Sequence, residues 1–227
     1  MALSPEERWM RVAGPVDVVY SDDHIIVCNK PSGLLSVPGI TLKDCLVSRV
    51  AVKFGQARID KMVVHRLDQA TSGLVLFART DEALRALHED FRLRRVSKCY
   101  EAVVYGSVAG DSGEVTEPMR KDMDNPPLQL IDHVQGKPCQ TLWSVLSRET
   151  RGGGADATRV ALTPVTGRSH QLRLHMQVLG HPILGDDLYA HAAARALAPR
   201  CLLHARTLRF RHPATGEDLS FEVPPEF

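Results

Sequence analysis

The sequence predicts an α+β domain built on a mostly antiparallel sheet. Three observations predict it. Short apolar or alternating runs outnumber helical stripes, turn residues separate neighbouring runs, and the helical segments fall without βαβ regularity. The 227 residues, 44% hydrophobic and 24% charged, are ample for a buried core and exclude disordered, collagen-like or disulfide-dense classes.

Taken in chain order, Val16–Tyr20 and Ile25–Cys28 read as strands around a polar Ser-Asp-Asp-His turn, and the second ends at Lys30-Pro31-Ser32-Gly33. Leu42 to Phe54 has the mixed spacing of a helix. Met62–Val64 and Leu74–Ala78 read as core strands joined by a polar loop. Thr80 is placed to cap a helix with Asp81 and Glu82 in its first turn, and Ala83, Leu84, Leu87 and Phe91 form its apolar stripe. Tyr100–Tyr105, Thr141–Leu146 and Arg159–Leu162 are further strands, with Arg151–Gly154 a flexible loop tip between the last two. Leu172, Met176 and Leu179 mark a helix that stops at Gly180. Leu208–Phe210 and Leu219–Val223, split by Pro-Ala-Thr-Gly, close the chain as a hairpin.

No apolar run approaches the ~18 residues of a membrane span, and no signal peptide is visible. Five scattered cysteines give neither a disulfide framework nor a metal site, so a reduced cytoplasmic protein is expected. The net charge of +1 is uninformative, but its distribution is not. Between Thr163 and Arg211 seven arginines face only Asp186 and Asp187, while 212–227 holds four acids and no Lys or Arg. Arg92, Arg94, Arg95 and Lys98 form a second basic cluster. Two such zones suit a polyanion, and equally a solvated surface.

The densest polar segment runs from His65 to Gly73 and contains Arg66 and Asp68. A turn explains Asp, Thr, Ser and Gly there, but it needs only one of His, Arg and Asp. In Gly167–His175, helical spacing puts His170, Arg173 and Leu174 on one face. The gap of five between His170 and His175 misses the i, i+4 spacing of a helical zinc pair, so anion binding or an ion pair suits these arginines better.

Together these segments resemble the RluA-type pseudouridine synthases. The resemblance rests on His65-Arg66-Leu67-Asp68, Thr71-Ser72-Gly73-Leu74, Asn29-Lys30-Pro31-Ser32-Gly33, Lys98-Cys99-Tyr100, Gly167-Arg168-Ser169-His170-Gln171-Leu172-Arg173 and Gly180-His181-Pro182-Ile183-Leu184-Gly185-Asp186. It spans residues 16–226 in the family's order; Cys139 in place of the family's usual Ala and the Arg151–Gly154 insertion are its departures. It implies a pseudouridine synthase fold, a large mixed, mostly antiparallel sheet with flanking helices and a central catalytic cleft. Residues 1–15 read as an N-terminal extension without the S4 domain of many members, and 16–227 as a single catalytic domain. Ser-Val-Pro-Gly at 36–39 and the ending Val-Pro-Pro-Glu-Phe are most similar to the compact dual-specificity form acting on large-subunit rRNA and the tRNA anticodon stem-loop.

The implied reaction is isomerisation of uridine to pseudouridine, with no cofactor and no metal. By resemblance Asp68 is the catalytic carboxylate, Arg173 is set against it, and Tyr100 stacks on the flipped uracil. A guanidinium near a buried carboxylate keeps it ionised, and flipping costs a few kcal/mol of lost stacking. Arg66 is expected to occupy the vacated space. His65, Lys30, Lys98, Arg168 and His170 are expected RNA contacts, and Arg92, Arg94 and Arg95 are candidates for phosphate contacts with Lys30 and Lys98, although His65 and His170 equally suit structural hydrogen bonding. The expected partner is RNA and the expected state a monomer. A non-catalytic RNA-binding module, a uridine hydrolase and a histidine metal site are the rival readings.

Overall fold

The computed structural model describes residues 14–39 and 44–227. The chain divides into two compact units, one of residues up to Ser97 plus Arg206–Pro224, the other of Lys98–Ala205 plus Pro225–Phe227.

In the first unit β1 (Asp17–Ser21), β2 (Ile25–Lys30) and β3 (Ser72–Ala78) form an antiparallel meander. Ile25, Val27, Leu74, Leu76 and Ala78 alternate into one core with Ala83, Leu84, Leu87, Leu208 and Phe210. Ile26, Cys28, Val75 and Phe77, on the opposite face, are also fully buried. Burial on both faces is why β3 reads as a continuous apolar run. Helix α1 (Leu46–Phe54) ends at Gly55, whose φ of 65° lets the chain leave the helix in the left-handed region. It starts four residues later than its sequence predicts: Cys45 is extended, and Leu42 and Lys43 lie outside the described residues. A short 3-10 turn (Ile59–Lys61) follows. Met62–Val64 is not a strand; Val63 makes a single bridge to Phe77, because the chain turns away into the polar loop.

Helix α2 (Asp81–Arg92) starts as predicted, with the Thr80 hydroxyl accepting from the Ala83 amide. Its end is unusual. Arg94 sits at φ 57°, where glycine is favoured, while the Arg94 and Arg95 amides return to the Phe91 and Asp90 carbonyls. That conformation costs a non-glycine residue roughly 1 kcal/mol. Asp22, in the β1–β2 turn, gathers the Tyr20 hydroxyl, the His24 and Ile25 amides and His212 Nε2 at 2.7–2.9 Å. Burial pushes its carboxyl upward, but these hydrogen bonds outweigh burial and bring it down to about 2.

In the second unit the ladder order is β4 (Ser97–Tyr105), β9 (Ala155–Pro164), β8 (Thr141–Arg151) and β5 (Ser112–Val115), all antiparallel. β8 and β9 run well past their predicted ends, to a 3-10 turn at Gly152–Gly154. β6 (Met119–Lys121) and β7 (Gln129–Ile131) form a separate hairpin. Helix α3 (Gln171–Val178) precedes Gly180, and the five-residue α4 (Ala192–Ala196) follows. Strand β10 (Leu203–Arg211) contributes its first residues to the second unit and its remainder to the first, where it pairs with β11 (Asp218–Glu222) as the predicted hairpin.

Candidate active site

His65, Arg66 and Asp68 lie on one loop, between the Val63 bridge and β3. That loop has no ladder of its own, so the segment 30–36 satisfies its backbone. The Ser36 hydroxyl accepts from the Leu67 amide at 3.0 Å and donates to the Leu67 carbonyl at 2.7 Å. The Gly33 amide donates to the Gln69 carbonyl (2.8 Å), the Gln69 side chain donates to the Gly33 carbonyl (3.0 Å), and the Ser32 hydroxyl donates to the Ala70 carbonyl (2.7 Å). The Thr71 amide closes a turn on the Asp68 carbonyl at 3.1 Å. The backbone is thus fixed on both sides of Asp68, whose side chain is half-buried beside an exposed Arg66.

Lys30 corrects the sequence expectation. Its side chain is fully buried, and its ammonium donates to the carbonyls of Pro31 (2.9 Å), Leu34 (2.7 Å) and Gln69 (3.2 Å). Enclosed in this way it cannot meet an RNA phosphate; it ties the Asp68 loop to β2. His65 also has structural tasks: its Nε2 accepts from the Leu76 amide (3.0 Å), and its ring stacks on Phe91 at 4.9 Å.

In the second unit Lys98 and Tyr100, two residues apart, share a face of β4. Tyr100 is buried, and burial lowers the Lys98 pKa. A Cβ at Gly167 would lie 3.7 Å from Lys98 Nζ, so Lys98 reaches the turn that carries Arg168 and His170. That turn is held by buried Gln171. Its oxygen accepts from the Thr166 hydroxyl (2.8 Å) and the Arg168 amide (3.1 Å), and its nitrogen donates to Gln140 O (2.9 Å) and Thr141 Oγ (3.0 Å). All four bonding positions of the amide are filled, and the Arg168 side chain is left exposed.

His170 does not share a helical face with Arg173, as its spacing predicts. It precedes α3 at φ 57°, and its Nδ1 meets the Tyr189 hydroxyl at 2.8 Å. Tyr189 Oη also accepts from the Gln129 amide at 2.8 Å. Arg173, 2% exposed, makes two hydrogen bonds to the fully buried Asp186 (2.7 and 2.5 Å) and one to Asp187 (2.9 Å). Asp186 also accepts the Leu188 and Tyr189 amides. Such a two-pronged pair fixes the guanidinium plane. Gly185 (φ 70°) makes this possible, because a Cβ there would run into the Arg200 carbonyl. Ser36, Gln171, Asp186, Asp187 and Tyr189 are therefore site-supporting residues that sequence reasoning missed. For the two aspartates a signal was present: they are the only acids in the arginine-rich stretch 163–211.

The remaining histidines take separate partners: His175 meets Thr141 Oγ (2.9 Å) and Glu117 O (3.1 Å), and His181 Nδ1 meets Tyr105 O (2.8 Å). Burial lowers the His175 pKa. Among the described residues no three His, Cys, Asp or Glu side chains cluster as a metal site.

Residues 24–178 match the family model described as RNA pseudouridylate synthase. The chain is 52% identical over 214 residues to the dual-specificity RNA pseudouridine synthase RluA of Pasteurella multocida, covering 93% of this chain and 94% of that protein. Identity to the Escherichia coli K12 protein of the same name is 46% over 226 residues, covering 98% and 96%. Among solved structures, human RNA pseudouridylate synthase domain containing 1 superposes with a TM-score of 0.77 at 28% identity, over 100% of this chain and 87% of that one. Its α+β fold is therefore that of the pseudouridylate synthases. The chain belongs to the RNA pseudouridylate synthase family, and it is an RNA-modifying isomerase.

Proposed function

We propose that this chain isomerises specific uridines in two structured RNAs, large-subunit rRNA and the tRNA anticodon stem-loop. Its similarity, at 52% identity and nearly full length, to a synthase named for dual specificity carries this reading. In the reaction the N1–C1′ bond of uridine breaks, the uracil turns, C5 bonds to C1′, and the hydrogen on C5 leaves. Nothing is oxidised or reduced, so the reaction calls for no cofactor and no metal.

Asp68 supplies the carboxylate at the reacting sugar and base. Its clamped backbone supports that role, because effective catalysis needs the carboxylate already in place. Arg173, held by Asp186 and Asp187, is the cation that serves this carboxylate, and Tyr100 stacks on the uracil. Arg66, exposed two residues before Asp68, fills the space that the flipped base leaves. Lys98, Arg168 and His170 contact the RNA. Residues 16–227 act as one catalytic domain and as a monomer. The enzyme works in the cytoplasm, in keeping with five free cysteines and with the absence, among the described residues, of any helix long and apolar enough to cross a membrane.

The test uses rRNA and anticodon stem-loop transcripts tritiated at uracil C5. Release from both supports dual specificity, and release from one alone overturns it. Free uracil among the products would restore the hydrolase reading.

A further inference from the structure

The first unit carries a groove of about 660 Å³ that the proposed chemistry does not use. One wall is the C-terminal end of α2 with Asp90, Arg95 and Ser97; the other is the β10–β11 hairpin with Arg209, Arg211, Asp218 and Ser220. Two basic stretches more than a hundred residues apart in sequence thus meet on one surface. Arg209 and Arg211 are exposed and point away from the core, because Leu208 and Phe210 take the inward positions of β10. Among the described residues each spends only its Nε, on Ser220 Oγ (3.2 Å) and Gly216 O (2.9 Å) respectively. Neither makes an ion pair among the described residues. Arg95 is joined to Asp90 by one loose contact of 3.3 Å. Next to Arg95 in the chain, Arg94, exposed and without an ion pair among the described residues, is kept in the left-handed region that glycine would occupy without strain.

The groove is also tied to the catalytic loop. Phe91, in the last turn of α2 and next to Asp90, stacks on His65, three residues before Asp68. Helix α2 therefore touches the loop at Phe91 and presents Arg94 and Arg95 just beyond it.

We propose that this groove holds the sugar–phosphate backbone of the substrate RNA outside the stem-loop that carries the target uridine. The proposal rests on the reading of the chain as an RNA pseudouridine synthase. Guanidinium groups with unused N–H donors suit phosphate oxygens, and phosphate contacts position an RNA without reading its sequence. Asp218, on the same wall, opposes the same phosphates.

The experiment compares wild type, the triple variant Arg95→Gln/Arg209→Gln/Arg211→Gln, and Asp218→Asn. Each is tested on a short stem-loop substrate and on the same stem-loop with its stem extended, from 50 to 300 mM salt, with thermal melts to check folding. For the extended RNA the triple variant should lower the slope of log Kd on log salt by about 2 to 3. KM should rise more than kcat falls, and the short RNA should be affected least. Asp218→Asn should tighten binding of the extended RNA. An unchanged salt slope in the folded triple variant overturns the proposal, as does equal weakening on both RNAs. Loss of tritium release by the wild-type enzyme on both RNAs would instead strike the activity reading, and the binding slopes would still decide the groove.

Discussion

The two segments expected to carry the chemistry are held by different forces. In the first unit the loop bearing Asp68 is pinned through its backbone, by Ser32, Gly33 and Ser36 and by a buried lysine that donates to the carbonyls of Leu34 and Gln69. In the second unit Arg173 is pinned through its side chain, by Asp186 and Asp187. The difference follows from what each must present. A short carboxylate moves with its backbone, so the backbone is fixed. A long guanidinium must be fixed at its far end, and carboxylates placed there do so with both strength and a fixed plane.

The largest effect should come from cutting the side-chain anchor. Asp186→Ala leaves Arg173 buried without its main counter-charge, and should destabilise the protein by about 3–5 kcal/mol, read from urea unfolding. A loss below 1 kcal/mol would mean that the pair contributes little to holding α3.

Cutting the backbone anchor should be milder. Lys30→Met strips a donor from three carbonyls but also removes a buried cation, so the expected loss is about 1–3 kcal/mol. Activity should suffer more than stability, because the Gln69 carbonyl, one residue beyond Asp68, keeps the Gly33 amide but loses the Lys30 ammonium. Preserved kcat in Lys30→Met would refute the positioning role.

Acid should separate the two kinds of anchor again. Asp22 in the first unit and Asp132 in the second both have carboxyls drawn down to about 2, Asp132 chiefly by its Arg120 hydrogen bond. A depressed carboxyl stabilises the fold above its unfolded pKa of ~3.9, and that stability is lost as pH falls from there towards 2. Added salt should weaken the Asp132 share, which depends on a partly exposed ion pair, more than the Asp22 share, which rests largely on amides and a hydroxyl. Chemical shifts followed by NMR at low and high salt would show equal salt sensitivity if this distinction fails.

The smallest effect is a gain. Arg94→Gly should stabilise the protein by up to about 1 kcal/mol through relief of the left-handed strain, while weakening RNA binding. A loss of stability would mean that the Arg94 side chain packs usefully.

How much was legible beforehand depended on whether the cause was local. The Thr80 cap, the α2 stripe and the twice-covered β3 announce themselves through periodicity and capping, which act within a few residues. The strands β5 to β7 were missed because three or four residues carry no readable period, and most of β5 is exposed. In the site, the loop bearing Asp68 and the segment bearing Arg173 were recognisable as motifs. Lys30 misled because it stands in a polar Lys-Pro-Ser-Gly turn, and its carbonyl partners include Gln69, 39 residues away. His170 misled because helical spacing assumes a helix, and the helix begins one residue later.

If Asp68 performs the isomerisation, as proposed, loss of its carboxylate must stop the expulsion of the C5 hydrogen. This is tested most directly by tritium release from C5-labelled RNA, with wild type beside Asp68→Asn and with RNA binding and folding checked for both. Wild type should release tritium, and the variant should lose release by a factor on the order of 10⁴ or more, with RNA affinity retained. Release by Asp68→Asn within about tenfold of wild type would contradict that role for Asp68.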